Sequence, residues 1–261
     1  MRLLPLLLWQ LALPASGDAQ DPPPISDNSF LIEEAYNQEP GVVQHILLFS
    51  RDRVTRDGEL GFTQEWPFVS QNHQLSYSIP LVRAAGRAGV GDVALNYRYR
   101  WLARSRAESV VRISALLPTG NAERGMGAGG AGVELNLPVS LEIGSALAAH
   151  WNLGGSVISS ARAEDGTRGA ANEVFAGASL VWLLHPTLNL LAESVWSRAE
   201  LPATRGTRVL ETSLTLVPAI RGAINLSSGA QIVPGAGLTI DARDGMRVSR
   251  LLLYLSYEHG F

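Results

Sequence analysis

The feature that most constrains the fold is a stretch, residues 132–143, in which apolar and polar side chains alternate. Side chains of an extended strand point in turn to its two faces, so this stretch has one apolar and one polar face. The apolar face holds Val133, Leu135, Leu137, Val139, Leu141 and Ile143, and the polar face holds Glu134, Asn136, Ser140 and Glu142. The pattern recurs to the end of the chain. It predicts an all-β fold, an antiparallel transmembrane β-barrel.

Twelve strands are predicted from this alternation. Their approximate bounds are residues 42–50, 61–68, 74–82, 91–102, 109–117, 132–143, 146–159, 172–184, 188–199, 207–218, 225–238 and 247–261. The connections between them alternate in length, which is typical of short periplasmic turns and longer external loops. The longer ones include residues 83–90 and 118–131. An even count closes the sheet without an edge and puts both termini at the periplasmic side, although ten or fourteen strands also fit the pattern.

The N-terminal part of the chain divides into two segments. Residues 1–19 have a basic residue, Arg2, an apolar run, and small residues at Gly17 and Ala19, which together predict a cleaved signal peptide. The apolar run is too short to cross a bilayer as a helix. Residues 20–41 are predicted to be a periplasmic lead-in or plug, and residues 42–261 to form the barrel as one domain.

The composition excludes several classes of function. Cysteine is absent, so the fold contains neither disulfides nor thiolate metal sites. The net charge of −3 gives no electrostatic basis for nucleic-acid binding. All 21 basic residues are arginine, which excludes a phosphate-loop nucleotide site and Schiff-base catalysis, both of which need lysine. The five histidines show no metal-binding spacing, and we expect no metal, no cofactor and no catalytic residue.

The polar faces of the predicted strands define a set of candidate lumen residues. Both charge signs occur among them, so the interior is either a water-filled channel or is closed by arginine–carboxylate pairs. A slight acidic excess favours a weak preference for cations. The candidates are Asn96, Arg98, Arg100, Arg112, Glu134, Asn136, Glu142, His150, Asn152, Glu173, Glu193 and Glu211, with Glu65 and Glu258 on the same faces.

Two motifs have a competing catalytic or nucleotide-binding interpretation. Inward-pointing His150 and Asn152 could join a serine in a nucleophilic triad, but the sequence does not identify the serine. Gly127, Gly129 and Gly132 match a GxGxxG pattern, which needs a helix after it, whereas here a strand follows. We interpret this glycine-rich segment as an external loop, able to fold inward and narrow a pore.

Five segments carry a resemblance to a known family. They are FLIEEAYNQEPGVVQH at residues 30–45, QEWPF at 64–68, HQLSY at 73–77, GVGDVALNYRY at 89–99 and SALLPTG at 114–120. They resemble outer-membrane transporter barrels of the meta-pathway phenol-degradation family. The resemblance implies uptake of small hydrophobic or aromatic compounds, and it supplies no binding residues. The terminal Phe261 is similar to the end signal that the barrel assembly machinery recognises.

The sequence therefore predicts a barrel in the bacterial outer membrane that gives passive passage to small molecules. Its expected partners are outer-membrane lipids, the assembly machinery and a small-molecule solute. A non-conducting structural, adhesive or sensing barrel is the alternative. A soluble periplasmic ligand-binding barrel is a third interpretation, with an apolar interior and a polar exterior.

Overall fold

The computed structural model describes residue 25, residues 29–243 and residues 246–260. The predicted signal peptide at residues 1–19 and the terminal Phe261 lie outside the described residues. Within the described part of the chain, no helix is both long enough and apolar enough to cross a membrane.

The described chain consists almost entirely of β-strands. Two single-turn 3-10 helices interrupt the connections, at Ala122–Arg124 and Thr204–Gly206. The fifteen strand segments are β1 (Val42–Asp52), β2 (Gly58–Phe68), β3 (Ser70–Ala84), β4 (Arg87–Val90), β5 (Val93–Arg104), β6 (Ala107–Leu117), β7 (Gly132–Asn136), β8 (Val139–Ile143), β9 (Leu147–Arg162), β10 (Arg168–His185), β11 (Leu188–Pro202), β12 (Arg208–Gly222), β13 (Ile224–Asn225), β14 (Gln231–Arg243) and β15 (Met246–Gly260).

These segments form a closed antiparallel barrel. The fifteen segments make twelve strands, because three of the strands are each divided into two segments. The pairs β4 and β5, β7 and β8, and β12 and β13 each continue one strand. The last strand, β15, pairs with β1 from Val42 opposite Gly260 to Asp52 opposite Arg250, which closes the sheet. The predicted fold class and the strand count of twelve are confirmed.

Some of the predicted bounds are wrong. The strand predicted from residue 225 begins at Gln231, because the amide of Leu226 donates to the carbonyl of Ala230 (2.8 Å) and forms a turn. The predicted long connection at residues 83–90 is a two-residue turn. Ala85 and Gly86 both have positive φ there (48° and 77°), the geometry that lets two strands continue directly into a hairpin.

The alternating stretch is also interrupted, since β7 ends at Asn136 and β8 begins at Val139. Pro138 has no N–H to donate to a sheet ladder, and its buried carbonyl accepts the amide of Val110 at 3.0 Å. The two faces nevertheless stay as predicted. Val133, Leu135, Leu137, Val139, Leu141 and Ile143 are all 37–57% exposed on the outside of the barrel.

The barrel has two distinct ends. We call the end with Val42 and Gly260 the terminal end; it carries the short turns, such as the one at residues 186–187. We call the opposite end, which carries the loop at residues 118–131, the loop end. The apolar exterior is the surface expected of a barrel in lipid, because lipid tails solvate it as well as a protein core would.

Candidate functional site

The segment before β1 lies inside the barrel. We call residues 29–41 the strap; Phe30, Ile32 and Ala35 within it are fully buried. Just before it, the amide of Ile25 donates to the carbonyl of Pro186 (3.2 Å), in a turn at the terminal end. Farther along, the side-chain amide of Asn37 donates to the carbonyl of Gln71 (3.0 Å), also at the terminal end. The strap therefore enters the lumen from the terminal end and returns to it.

Side chains of the wall, not its backbone, bind the strap backbone. The carboxylate of Glu193 on β11 accepts the amides of Phe30 (2.6 Å) and Leu31 (2.7 Å). Asn152 on β9 accepts the amide of Glu33 (2.8 Å) and donates to its carbonyl (2.7 Å). The strap thus lies across the lumen without becoming a strand of the sheet.

The second half of the strap is bound in the same way. The amide of Ala35 donates to the hydroxyl of Ser140 on β8 at 2.8 Å. The amide of Gln38 donates to the side-chain oxygen of Gln74 on β3 at 2.7 Å. These two contacts extend the bound part of the strap across the lumen toward β3.

Glu33 is the centre of a largely buried charge cluster. Its carboxylate pairs with Arg98 on β5 (3.2 Å) and with Arg112 on β6 (2.8 Å), and it accepts the side-chain amide of Asn136 (2.9 Å). Arg112 also pairs with Glu134 on β7 at 2.5 Å. Because buried charges are costly unless they are paired, this cluster favours one position of the strap.

Arg98 makes three contacts to the strap. Its side chain is 1% exposed, and besides Glu33 it donates to the backbone carbonyls of Glu34 (2.6 Å) and Tyr36 (3.1 Å). A planar guanidinium with several donors can bind a carboxylate and two carbonyls at once. Arg98 therefore joins the side chain and the backbone of the strap to the wall.

Glu34 is the centre of a second cluster, on the terminal side of the strap. Its carboxylate lies 3.6 Å from Nε2 of His150 and 3.6 Å from a guanidinium nitrogen of Arg221. Arg221 is not among the predicted lumen residues, because the predicted strand ends at residue 218 and leaves Arg221 in a turn. Strand β12 continues to Gly222, and its period places Val217, Ala219 and Arg221 on the same inward face.

The remaining predicted lumen residues lie at different distances from the strap. Asn96 lies beside the Glu33 cluster, where it accepts from Arg112 at 3.4 Å. Arg100 pairs with Glu108 (3.2 Å) near the terminal end, and Glu211 pairs with Arg243 (3.0 Å) near the loop end. Glu142 lines the terminal-side part of the lumen and Glu173 is half-buried on β10. Arg100, Glu142, Glu173 and Glu211 belong to neither cluster.

Two cavities lie on opposite sides of the strap. The loop-side cavity has a volume of about 350 Å³ and is lined by Glu33 together with Leu48, Glu65 and Tyr254. The terminal-side cavity has a volume of about 540 Å³ and is lined by Glu34 together with His150. The neighbouring carboxylates of the strap thus face different cavities.

The first residues of the strap pack against an apolar part of the wall. Phe30 stacks on Tyr254 with ring centroids 5.0 Å apart and packs with Val217, Val233 and Leu252. Glycines of the wall make room for the strap. A Cβ atom at Gly235 would lie 2.4 Å from Cζ of Phe30, and one at Gly177 would lie 2.3 Å from Cδ1 of Ile32. Glycine at an inward strand position is the sequence signal that could have indicated this close approach.

The structure supplies a serine beside His150. Oγ of Ser140 lies 2.8 Å from Nδ1 of His150, and Glu34 lies at the other ring nitrogen. However, Ser140 is fully buried and its oxygen accepts the amide of Ala35. A nucleophile must be able to reach its substrate, so this arrangement is better suited to holding the strap.

Two carboxylates organise the loop end. Asp92 accepts the amides of Gly120 (2.9 Å) and Ala128 (2.6 Å), which ties the glycine-rich loop to the barrel mouth. In the loop at residues 163–167, Asp165 accepts a hydrogen bond from the Thr167 hydroxyl and one from the amide of Arg205. These bonds lower the pKa of Asp165 to about 2, so it stays charged at physiological pH.

Comparison with known proteins shows the fold but no family. No family model matches the chain, and no curated protein matches its sequence. The NanC porin matches with a TM-score of 0.56 and 8% identity over 83% of this chain and 100% of the porin. An outer-membrane channel from Pseudomonas putida F1 matches with a TM-score of 0.64 and 12% identity over 87% of this chain and 98% of the channel. At these identities the matches show the fold alone, and the β-barrel fold that the sequence resemblance implies is confirmed.

Proposed function

We propose that the protein is an outer-membrane channel that gives passive passage to small hydrophobic or aromatic molecules. The apolar exterior supports the location, because it matches a lipid environment. The two lumen cavities support passage, because they lie in line along the barrel on either side of one short segment.

The observation that carries this proposal is the way the strap is bound. Its backbone is held by Glu193, Asn152, Ser140 and Gln74 through their side chains. The strand ladder of the wall is complete without it, so the strap can leave while the barrel stays closed. In our proposal, residues 20–41 form a plug, and movement of the strap joins the two cavities into one path.

The lining of the loop-side cavity supports the class of solute. Phe30, Leu48 and Tyr254 line one side of it, and Glu65 and Arg112 line another. A volume of about 350 Å³ with an apolar wall and a few polar groups is within the usual range for a small-molecule site. An aromatic compound with one polar group would satisfy both sides.

The polar and charged lumen residues then have two proposed roles. Arg98, Arg112, Glu134 and Asn136 hold the strap in the closed state, and they line the path once the strap has moved. Arg100, Glu142, Glu173 and Glu211 line the path in either state, so they affect the preference for ions without affecting closure.

The C-terminal strand supports a further part of the proposal. Strand β15 pairs with β1, so its insertion completes the barrel. An aromatic residue, Phe261, follows this strand in the sequence. We propose that the assembly machinery recognises this end of the chain, and deletion of Phe261 should lower the amount of protein in the outer membrane.

A reversible crosslink tests the channel proposal directly. The hydroxyls of Ser29 in the strap and Ser179 in the wall lie 2.9 Å apart, and the chain has no cysteine. The double variant Ser29→Cys/Ser179→Cys can therefore form a disulfide that fixes the strap. In planar bilayers we expect the oxidised form to pass the least current, and reduction should restore wild-type current.

A deletion provides the second half of this test. Removal of residues 29–38 should leave a folded barrel with a several-fold larger current and faster uptake of a small aromatic probe into liposomes. For the crosslink experiment, the matched control is Ser179→Cys alone, treated with the same oxidant. A folded deletion variant without current would contradict the proposal and favour the non-conducting structural barrel.

A further inference from the structure

A group of arginines lies on the outside of the barrel at its loop end. Arg51 on β1, Arg53 and Arg56 in the following loop, and Arg83 on β3 are all exposed. In the sheet register Arg51 lies opposite Gly58, and Gly58 lies opposite Arg83. Since residues directly opposite each other share a face, Arg51 and Arg83 flank a glycine on one level of the outer surface.

These arginines stand at the edge of the apolar exterior. One cleft of about 320 Å³ has Phe49, Leu60 and Leu81 beside Arg51, Arg56 and Arg83. A second cleft of about 620 Å³ has Leu238 and Leu251 beside Arg51, Arg53 and Arg56. The two clefts adjoin because they share Arg51 and Arg56. Each one combines cationic groups with an apolar floor.

The arginine charges are not neutralised by the described carboxylates. Across residues 29–243 and 246–260, Arg51, Arg53, Arg56 and Arg83 make no ion pair within 4.0 Å. Asp52 lines the second cleft, but its carboxylate accepts the amides of Val54 (2.7 Å) and Thr55 (2.8 Å). Glu59 lines the first cleft from β2, one residue after Gly58, and so points to the inward face.

We propose that these two clefts bind a phosphorylated, multiply acylated lipid of the outer leaflet. Guanidinium groups bind phosphate oxygens in pairs of parallel hydrogen bonds, and two adjoining clefts can bind two phosphates of one headgroup. The acyl chains lie along Leu81, Leu238 and Leu251, which already face lipid. This site is outside the lumen and is independent of the strap.

Two other occupants fit the surface less well. A free phosphate or polyphosphate would use the arginines but leave the apolar floors exposed to water. A second copy of the chain, related by a two-fold axis, would bring two arginine groups together, and like charges at such an interface repel each other.

Native mass spectrometry of the refolded protein tests the proposal. The probes are lipid A with its two phosphates, the same lipid without phosphate, and inositol hexakisphosphate as a source of free phosphate groups. We expect wild type to bind phosphorylated lipid A at least about tenfold more tightly than the variant Arg51→Ala/Arg56→Ala/Arg83→Ala, because each lost charged hydrogen bond weakens binding about tenfold.

The control variant removes the same charge elsewhere. Arg104→Ala/Arg106→Ala/Arg124→Ala replaces three exposed arginines that line neither cleft and should bind lipid A as wild type does. The double variant Arg51→Gln/Arg83→Gln, which keeps the side-chain length, should also bind less tightly and covers the case in which the triple variant fails to fold.

Three outcomes would overturn the proposal. The first is equal affinity of wild type and the folded cleft variants. The second is binding of the phosphate-free lipid, or of inositol hexakisphosphate, as tight as that of lipid A. The third is a wild-type dimer that the cleft substitutions dissociate, which would identify a second copy as the occupant.

Discussion

The strap contacts two parts of the wall that differ in chemistry. From β5 to β9 the wall is polar, and Arg98, Arg112 and Asn152 bind charges and backbone groups of the strap. An apolar patch on β12, β14 and β15, formed by Val217, Val233 and Leu252, lies elsewhere on the wall, and beside it Tyr254 and Gly235 receive the ring of Phe30. The polar part requires matched partners, whereas the apolar part requires matched volumes. The position of the strap is thus specified twice, by two independent interactions.

The largest effect is expected on the polar side. Arg98→Ala removes three charged contacts to the strap, and because a hydrogen bond to a charged group contributes about 1.5–3 kcal/mol, strap binding should weaken by about 3–5 kcal/mol. We expect faster proteolysis of residues 29–41 and a larger single-channel current. Arg100→Ala removes the same charge two residues along the same face, without strap contacts, and should keep the strap bound. Equal effects of both substitutions would contradict the role of Arg98.

The apolar side should show a smaller loss. Gly235→Ala places a methyl group against the ring of Phe30, and such overpacking typically costs about 1–3 kcal/mol. Hydrogen exchange of the strap amides should become faster. Gly61→Ala is the control, because a Cβ atom there lies 3.8 Å from the nearest atom, the carbonyl oxygen of Leu48. Phe30→Leu should restore protection in the Gly235→Ala background, and failure to do so would argue against this contact.

Glu193 on β11 lies between the polar and the apolar part of the wall. Its replacement should loosen the strap less than the two substitutions above. Its two carboxylate oxygens accept the amides of Phe30 and Leu31, and Glu193→Gln retains only one of these oxygens. The loss should be about 1–2 kcal/mol, measured as faster exchange of the Phe30 and Leu31 amides. Glu173→Gln, on the neighbouring strand, is the matched control. Unchanged exchange at both amides would show that Glu193 does not anchor the strap.

The smallest effect is expected for His150→Ala. This change removes the contact to Ser140 and a partner of Glu34, but Arg221 still pairs with that carboxylate. Solute passage should stay close to wild type, as measured by liposome uptake. Hydrolysis of a nitrophenyl ester by wild type that Ser140→Ala and His150→Ala both abolish would instead support the catalytic interpretation.

Much of the fold is predictable from the sequence, because the two-residue period of a strand is visible in single segments. The inward positions of Asn96, Arg98 and Asn136 follow from the outward positions of Tyr97 and Leu135. The strand that begins at Gln231 is predicted too early in the chain. Its predicted start lay in an uncharged segment where a turn, not the apolar pattern, decides the boundary.

The partners of the lumen residues were not predictable in this way. Glu33 and Glu34 are adjacent in sequence yet face different cavities, and Glu193 binds amides 163 residues away in the chain. Such pairs form only after the sheet has closed, so no local pattern indicates them. Arg221 is absent from the predicted lumen residues for a different reason: the predicted strand ends at residue 218, whereas β12 continues to Gly222.

The sequence by itself determined which face of each strand meets lipid, because strand geometry converts alternation directly into an inside and an outside. It also determined the strand number to a good approximation, through the spacing of these segments. Only the tertiary structure decided that the strap lies in the lumen and which charges bind it. Closure of the barrel brings β5, β9 and β11 to within reach of one segment, and distance across a closed sheet is not encoded in any short stretch of the chain.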